Sequence, residues 1–234
     1  MSPAYATKRV RERFGPVTLE LETLADLDEA VDELLARTAA RPEELERDLC
    51  PYFGVVWPAA RALAEELARR GEALADREVL ELGCGLALPA LVAATLGARV
   101  TATDLHPDVP AFLARNLAHN GLATDAIAYR EHDWRTAALG RRYELVVASD
   151  VLYEAGHPAP VARALAAHVA PGGQILLADP ARAYLQAALD ELARLGFRAE
   201  NEVVRVADPS LDRAGDARTR EVFLIALEHA PPAP

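Results

Sequence analysis

Glycines, carboxylates and aromatic rings recur in this chain at spacings that suit chemistry. The stretch "ELGCGLA" (81–87) sets Gly83 and Gly85 one residue apart, directly after the apolar run "REVL". A glycine pair after a strand lets a nucleotide lie against the backbone. Asp104 ends "TATD", about 20 residues further on, the spacing at which a carboxylate accepts the two hydroxyls of a ribose. The same aspartate could instead cap the helix that "HPDVPAFL" begins. "EHDW" supplies Asp133 and Trp134, "VVASD" ends on Ser149 and Asp150, and "ILLAD" ends on Asp179. One acid after a strand means little, because such loops are polar anyway. Acids after most strands of one sheet point to a ligand cleft along its carboxyl edge.

The glycine loop admits two readings. A nicotinamide or flavin fingerprint, GxGxxG, requires a small third residue and seats a pyrophosphate on the following helix. Here Leu88, followed by Pro89, stands at the third position and crowds the helix–strand contact. Glu81, before the first glycine, would oppose a pyrophosphate and suit a cationic amino-acid ligand. The loop therefore favours a nucleoside without phosphates.

The elements that must position these residues follow from periodicity. "RVRERF", a "GP" turn and "VTLELETL" read as a β-hairpin. Residues 26–38 have helical spacing with Asp26 as N-cap, and "RPEELERDL" reads as a second short helix beginning at Pro42. Residues 1–50 form an N-terminal extension, and residues 51–234 form the main domain. "WPAARALAEELARR" is helical, with Pro58 at its start and Gly71 after its end. Beyond it strands and helices alternate, which gives an α/β fold with a parallel sheet covered on both faces. "VVAS" and "ILLA" are continuous apolar runs, as strands buried on both sides require. The last two strands, "FRAENEVVRVAD" and "REVFLIALE", have the loop "PSLDRAGDART" between them and no helix, so they form an antiparallel hairpin.

Composition excludes several classes. The chain has 234 residues and a formal net charge of −11, which repels nucleic-acid backbones. The short cluster "KRVRER" does not reverse that. No apolar run is long enough to span a bilayer and the first residues carry no signal-peptide core, so a cytoplasmic protein is expected. Two cysteines, Cys50 and Cys84, cannot make a disulfide framework, and no His/Cys spacing suggests a metal site. The oligomeric state is not legible.

"VLELGCG", "TATDLHP", "EHDW", "ELVVASDVLYE" and "PGG", in that order, resemble the class I, seven-stranded S-adenosylmethionine-dependent methyltransferases. "VVWPAARALAEEL" and "SDVLYE" are more narrowly similar to the protein-lysine-methyltransferase-like branch, whose bacterial members are often labelled nicotinamide N-methyltransferase-like. "ADPAR" is similar to a "DPxR" in the lysine methyltransferase acting on the β-subunit of electron transfer flavoprotein. The resemblance implies a Rossmann-like doubly wound sheet of strand order 3-2-1-4-5-7-6, with the seventh strand antiparallel. It implies S-adenosylmethionine as cofactor, held by Trp57, Glu81, Gly83, Cys84, Gly85, Asp104, Asp133, Trp134 and Ser149. Trp57 could equally be a helix-start aromatic packed in the core.

The resemblance places the acceptor at Asp150 and Tyr153, the D-x-x-Y of "SDVLYE". A lysine amine, with a reference pKa of about 10.4, must shed a proton before it attacks a methyl group. Asp150 could hold the amine in register while Tyr153 adds a hydroxyl and an aromatic wall. The bland alternatives are a helix cap for Asp150 and a lid residue for Tyr153; His157, before Pro158, reads as a surface residue. The expected activity is protein lysine N-methylation, with a lysine-bearing protein as partner. A small-molecule N-methyltransferase taking a nicotinamide-like amine is the nearest rival. A nicotinamide-dependent oxidoreductase and a non-catalytic cofactor-binding module stand further off.

Overall fold

The computed structural model describes residues 5–38, 50–136, 138–208 and 219–230. The expected helix in "RPEELERDL" and the loop "PSLDRAGDART" lie almost wholly outside these residues. Strands β1 (Thr7–Phe14) and β2 (Val17–Leu24) form an antiparallel hairpin that turns at Gly15, whose φ is +50°. Helix α1 (Leu27–Thr38) follows, and Asp26 accepts the Glu29 N–H at 3.1 Å as its cap. Residues Pro51–Gly54 make one 3₁₀ turn before α2 (Pro58–Arg70).

The alternation expected from residue 78 onward is present. It runs β3 (Glu78–Leu82), α3 (Leu88–Thr95), β4 (Arg99–Asp104), α4 (Val109–His119), β5 (Ile127–Glu131) and β6 (Tyr143–Ser149). It continues with α5 (Pro158–His168), β7 (Val169–Asp179), α6 (Leu185–Arg194), β8 (Phe197–Ala207) and β9 (Thr219–His229). The seven strands β3–β9 form one sheet of order β5-β4-β3-β6-β7-β9-β8, in which β9 is antiparallel to both neighbours. Numbered within the core, this is 3-2-1-4-5-7-6, the order the resemblance implied. Order reverses between β3 and β6, so the crevice beyond their carboxyl ends is where a ligand belongs.

Side chains of the central strands go alternately to two apolar layers. Leu145, Val147, Leu176 and Ala178 join the core under α2 and α3, and Val146, Ala148, Ile175 and Leu177 join the core under α5 and α6. Both faces are dry, which explains the continuous apolar runs. Alanines 59, 62, 64 and 68 of α2 are buried, and their small size lets the helix lie close to α3 and the sheet.

The N-terminal hairpin is fastened to this core on three sides. Leu19, Leu21 and Leu24 are buried in the same cluster as α2 and α3. The outer edge of β2 is met by α4: Asn116 Oδ1 accepts the Glu22 N–H at 2.7 Å, and Asn120 Oδ1 accepts the Glu20 N–H at 2.8 Å. Those amides close an edge that would otherwise invite another strand. Arg61 of α2 grips the Glu12 carboxylate through Nε and Nη2, with both side chains largely shielded. No helix among the described residues is long and apolar enough to cross a membrane.

Because Leu21 is 0% exposed within the common core, Leu21→Ala should cost about 2–5 kcal/mol of global stability. Urea unfolding followed by circular dichroism checks this. A single transition with a lowered midpoint is expected, and a midpoint equal to wild type would mean that the hairpin folds apart from the core.

Candidate active site

A cleft opens beyond the carboxyl ends of β3, β4 and β6, bounded by the 3₁₀ turn on one side and residues 132–135 on the other. Counted with its open mouth, the cleft has about 1020 Å³ of free space.

The glycine loop forms the floor. Gly83, Gly85 and Ala87 all have positive φ, at +67°, +50° and +57°. A Cβ on Gly83 would lie 2.9 Å from Val151 Cγ1 and 3.0 Å from Trp134 Cζ3; one on Gly85 would lie 3.0 Å from the Phe53 carbonyl oxygen. Glycine is therefore required at both places, by conformation and by space. Three of the loop's amides are bonded within the protein. Cys84 N–H donates to Thr103 O at 2.8 Å, Gly85 N–H to Asp104 Oδ2 at 2.8 Å, and Ala87 N–H to Cys84 O at 2.7 Å.

The N-terminus of α3, the ordinary seat of a pyrophosphate, is similarly taken. Pro89 has no N–H to give, and Ala90 N–H donates to Glu81 Oε2 at 2.9 Å. Glu81 itself is 1% exposed and, like Asp179, does not line the cleft. Burial pushes its carboxyl up to about 8, against the pull of the Ala90 N–H, so it is mostly protonated at neutral pH. The Ala90 bond and the missing Pro89 N–H leave fewer donors for a phosphate at this helix start, and burial shifts Glu81 toward its neutral form.

Asp104 does not cap α4; Asp108 occupies the N-cap position. Its carboxylate ties the loops together, Oδ2 accepting from Gly85 and Oδ1 from the His106 N–H at 2.9 Å. Burial raises its pKa, while those two hydrogen bonds work the other way. Each oxygen keeps a lone pair for a ligand hydroxyl. The His106 ring lies 4.2 Å from the Phe53 ring and helps wall the cleft.

On the far side, Asp133 is held by Arg135 Nε at 2.9 Å and by the Arg135 N–H at 2.8 Å. Burial alone would raise its carboxyl, but the hydrogen bonds and charge of Arg135 outweigh that and keep it below the usual range. Trp134 packs across Gly83 and lies 5.2 Å from the His157 ring. His157, expected at the surface, is 4% exposed: it donates from Nδ1 to Val151 O at 3.0 Å and packs 4.5 Å from the Tyr153 ring. Tyr153 meets Tyr52 edge-on at 6.1 Å, and Tyr52 meets Trp57 edge-on at 6.4 Å. Trp57 Nε1 donates to Tyr52 O at 2.9 Å, which fixes the indole at the mouth of the cleft and not in the core.

Ser149 and Asp150 end β6 beside this aromatic wall. Asp150 has φ +59° and is 8% exposed, and its Oδ1 accepts a hydrogen bond from Arg182 Nε. The sequence flagged "ADPAR" without assigning Arg182 a place in the site. Arg182 lies 32 residues from Asp150, a separation at which a single sequence carries no contact signal, and His157 turns inward from a loop that has no periodicity to reveal it. Cys84 is buried and its thiol is pushed up by burial and the nearby carboxyls, so it fills space and is not a nucleophile. Among the described residues, no group of three His, Cys, Asp or Glu side chains is placed to hold a metal ion.

Comparison with known proteins adds the family. A family model described as "Methyltransferase domain" matches residues 57–214. The chain is 32% identical over 143 residues to the electron transfer flavoprotein beta subunit lysine methyltransferase of Danio rerio, covering 58% of this chain and 52% of that protein. It is 34% identical over 117 residues to the protein-lysine methyltransferase METTL21E of Bos taurus, covering 46% of this chain and 39% of that protein. The chain thus spans about half the length of the curated relatives it matches. Among solved structures, the glycopeptide N-methyltransferase MtfA complexed with S-adenosyl-L-methionine superposes with a TM-score of 0.54 at 19% identity, covering 73% of this chain and 87% of that one. At that identity the likeness is one of fold.

The buried Glu81 also makes stability depend on pH. Its folded pKa of about 8 lies above the ordinary 4.5, so the folded state holds the proton more tightly. That contribution is complete below about pH 4.5 and is lost as pH rises through about 8. Glu81→Gln should therefore lose less stability than wild type between pH 5 and pH 9, measured as urea midpoints in the ligand-free protein. Equal losses in the two proteins would show that Glu81 is ionised throughout.

Proposed function

The chain belongs to the methyltransferase-domain family, and from that premise we propose that it transfers the methyl group of S-adenosylmethionine to a lysine ε-amine on a protein. The observation that carries the cofactor reading is the glycine loop, three of whose amides are already bonded, with Pro89 lacking an N–H and the Ala90 N–H given to Glu81 at the helix start. Such a loop disfavours the pyrophosphate of a dinucleotide and leaves room for a nucleoside bearing a cationic amino-acid tail. Asp104 would hold the ribose hydroxyls, Asp133 and Trp134 would border the adenine, and Gly83 and Gly85 would let the tail approach the backbone. Trp57 offers a ring face for a cation. Bound S-adenosylmethionine supplies a methyl group activated by a sulfonium centre.

The acceptor side rests on Asp150 and Tyr153. Asp150 presents a carboxylate at the inner end of the cleft, and Tyr153 with Tyr52 makes the aromatic wall leading to it. Tyr52 is 43% exposed, so this wall reaches the molecular surface, where a side chain carried by another protein can enter. That favours a protein acceptor over a small molecule sealed inside, and both lysine methyltransferases among the relatives point the same way. These residues bind and orient; well-oriented intramolecular reactions gain about 7–11 kcal/mol in this way. None of them needs to form a covalent intermediate.

Calorimetry should show binding of S-adenosylmethionine and none of NAD, and Asp104→Ala should weaken it by about 10- to 100-fold through loss of charged hydrogen bonds. NAD binding without S-adenosylmethionine binding would overturn the cofactor assignment. Tritiated methyl transfer to a host-cell extract should label protein, with methyllysine recovered after acid hydrolysis. Asp150→Asn should abolish the label; asparagine is the right replacement because it tolerates the positive φ. Label confined to small molecules would reject a protein acceptor.

A further inference from the structure

β6 and β7 are parallel neighbours, with Ser149 beside Ala178 in the ladder, so Asp150 and Asp179 emerge side by side at their carboxyl ends. The Asp150 N–H still donates to Ala178 O at 3.0 Å, and the backbone then turns through φ +59°. After Asp179 the chain turns back through Pro180 and Ala181, the latter at φ +63°. This brings the Arg182 N–H onto Asp179 Oδ1 at 2.6 Å and its guanidinium Nε onto Asp150 Oδ1 at 2.5 Å. Two carboxylates thus share one arginine. The Asp150 side chain is 5% exposed and the Arg182 side chain 34%. Asp150 lines the cleft, whereas Asp179 and Arg182 do not.

We propose that Arg182 is a positioning residue for methyl transfer: by balancing the charge of Asp150, it lets the acceptor amine bind as the neutral nucleophile instead of being trapped as ammonium. The inference rests on the reading that the acceptor is an amine. A lone carboxylate favours the charged form of any amine it touches and raises the amine's pKa. An ammonium has no lone pair for in-line attack. With one carboxylate oxygen on the guanidinium, the other still accepts an N–H bond from a neutral amine and orients its lone pair. In the transfer, the N–C bond forms from that lone pair as the S–C bond breaks, its electron pair going to sulfur. The proton lost by the amine before attack goes to water through the mouth of the cleft.

Other groups flank these three residues. On the α5 side, His157 Nε2 lies 3.4 Å from Glu154 Oε2. The segment between β6 and α5 adds Tyr153. From β9 the residue paired with Asp179 is Phe223, which is uncharged; Glu221 and Arg220 of that strand engage Arg205 and Asp208. Asp179 is held up to about 6 by burial and by the Asp150 charge, while the charge and N–H of Arg182 draw it down. Its Oδ2 is buried without a hydrogen-bond partner, so its titration reports the charges on Asp150 and Arg182.

Two measurements test the proposal on the full chain. The first is ¹³C carboxyl NMR of Asp179 without acceptor, assigned with Asp179→Asn. Arg182→Gln should move its midpoint above about 6, Arg182→Lys should return it toward wild type, and Asp150→Asn should move it down. The second is tritiated methyl transfer to an extract of host cells lacking this protein, from pH 6.5 to 9.5. Arg182→Gln should lower kcat about tenfold at pH 7, the cost of one unit on the amine's pKa, without raising KM, and should recover at high pH. Arg182→Lys, which keeps the charge but not the fork, should restore most of the rate at pH 7. An Asp179 midpoint unmoved by Arg182→Gln would overturn the proposal. So would a rate loss equal at every pH and equal in both Arg182 variants. Absence of label from wild type would instead sink the amine reading, and the Asp179 titration would still decide whether Arg182 sets the charge balance.

Discussion

The cleft depends on how the loop after β3 is held, and two buried carboxyls hold it. Asp104, reaching across from the end of β4, takes the Gly85 N–H, and Glu81, at the end of β3, takes the Ala90 N–H of α3. These bonds place the glycines where Trp134, Val151 and Phe53 can close on them. They also take two of the donors that could meet an anion. One arrangement therefore makes the floor of the cleft and leaves lone pairs of Asp104 available to hydroxyls. Its cost is desolvation: both carboxyls, and the Cys84 thiol between them, are pushed toward their neutral forms.

The same economy recurs one strand pair away. Asp150 and Asp179 leave adjacent parallel strands together, and a single arginine returning on the "DPAR" turn meets both. Carboxyl ends of parallel strands collect acids readily because the preceding backbone is buried and the first free position faces the crevice. Acids so close need either a shared proton or a shared cation. The loop after β3 is neutralised by protonation of Glu81, and the end of β6 by Arg182. The first choice leaves the floor of the cleft near neutral, and the second leaves Asp150 paired with a guanidinium.

Aromatic residues connect the two ends. The turn carrying Tyr52 and Phe53 lies over Gly85 on one side and meets Tyr153 on the other, while His157 packs against both Trp134 and Tyr153. The N-terminal hairpin supports this from behind, with Phe53 in the same core as Leu19 and Leu21. A change in the hairpin can therefore reach the Tyr52–Tyr153 wall through packing alone.

Strand alternation, the final hairpin and the glycine and acid positions were legible in the sequence, because each is a local pattern with a period or a fixed spacing. The protonation of Glu81 and its bond to the Ala90 N–H were not legible. The burial that protonates Glu81 comes from α3 and the sheet together, and no stretch of chain near Glu81 announces it. The inward turn of His157 and the meeting of Arg182 with Asp150 belong to the same kind. They depend on which strand ends become neighbours, and that is decided by sheet order, not by residue type. The sequence by itself determined which residues stand at the edge of the crevice. The tertiary structure decided which of them share protons, charges and walls, because those interactions act across strands that are distant along the chain and adjacent in space.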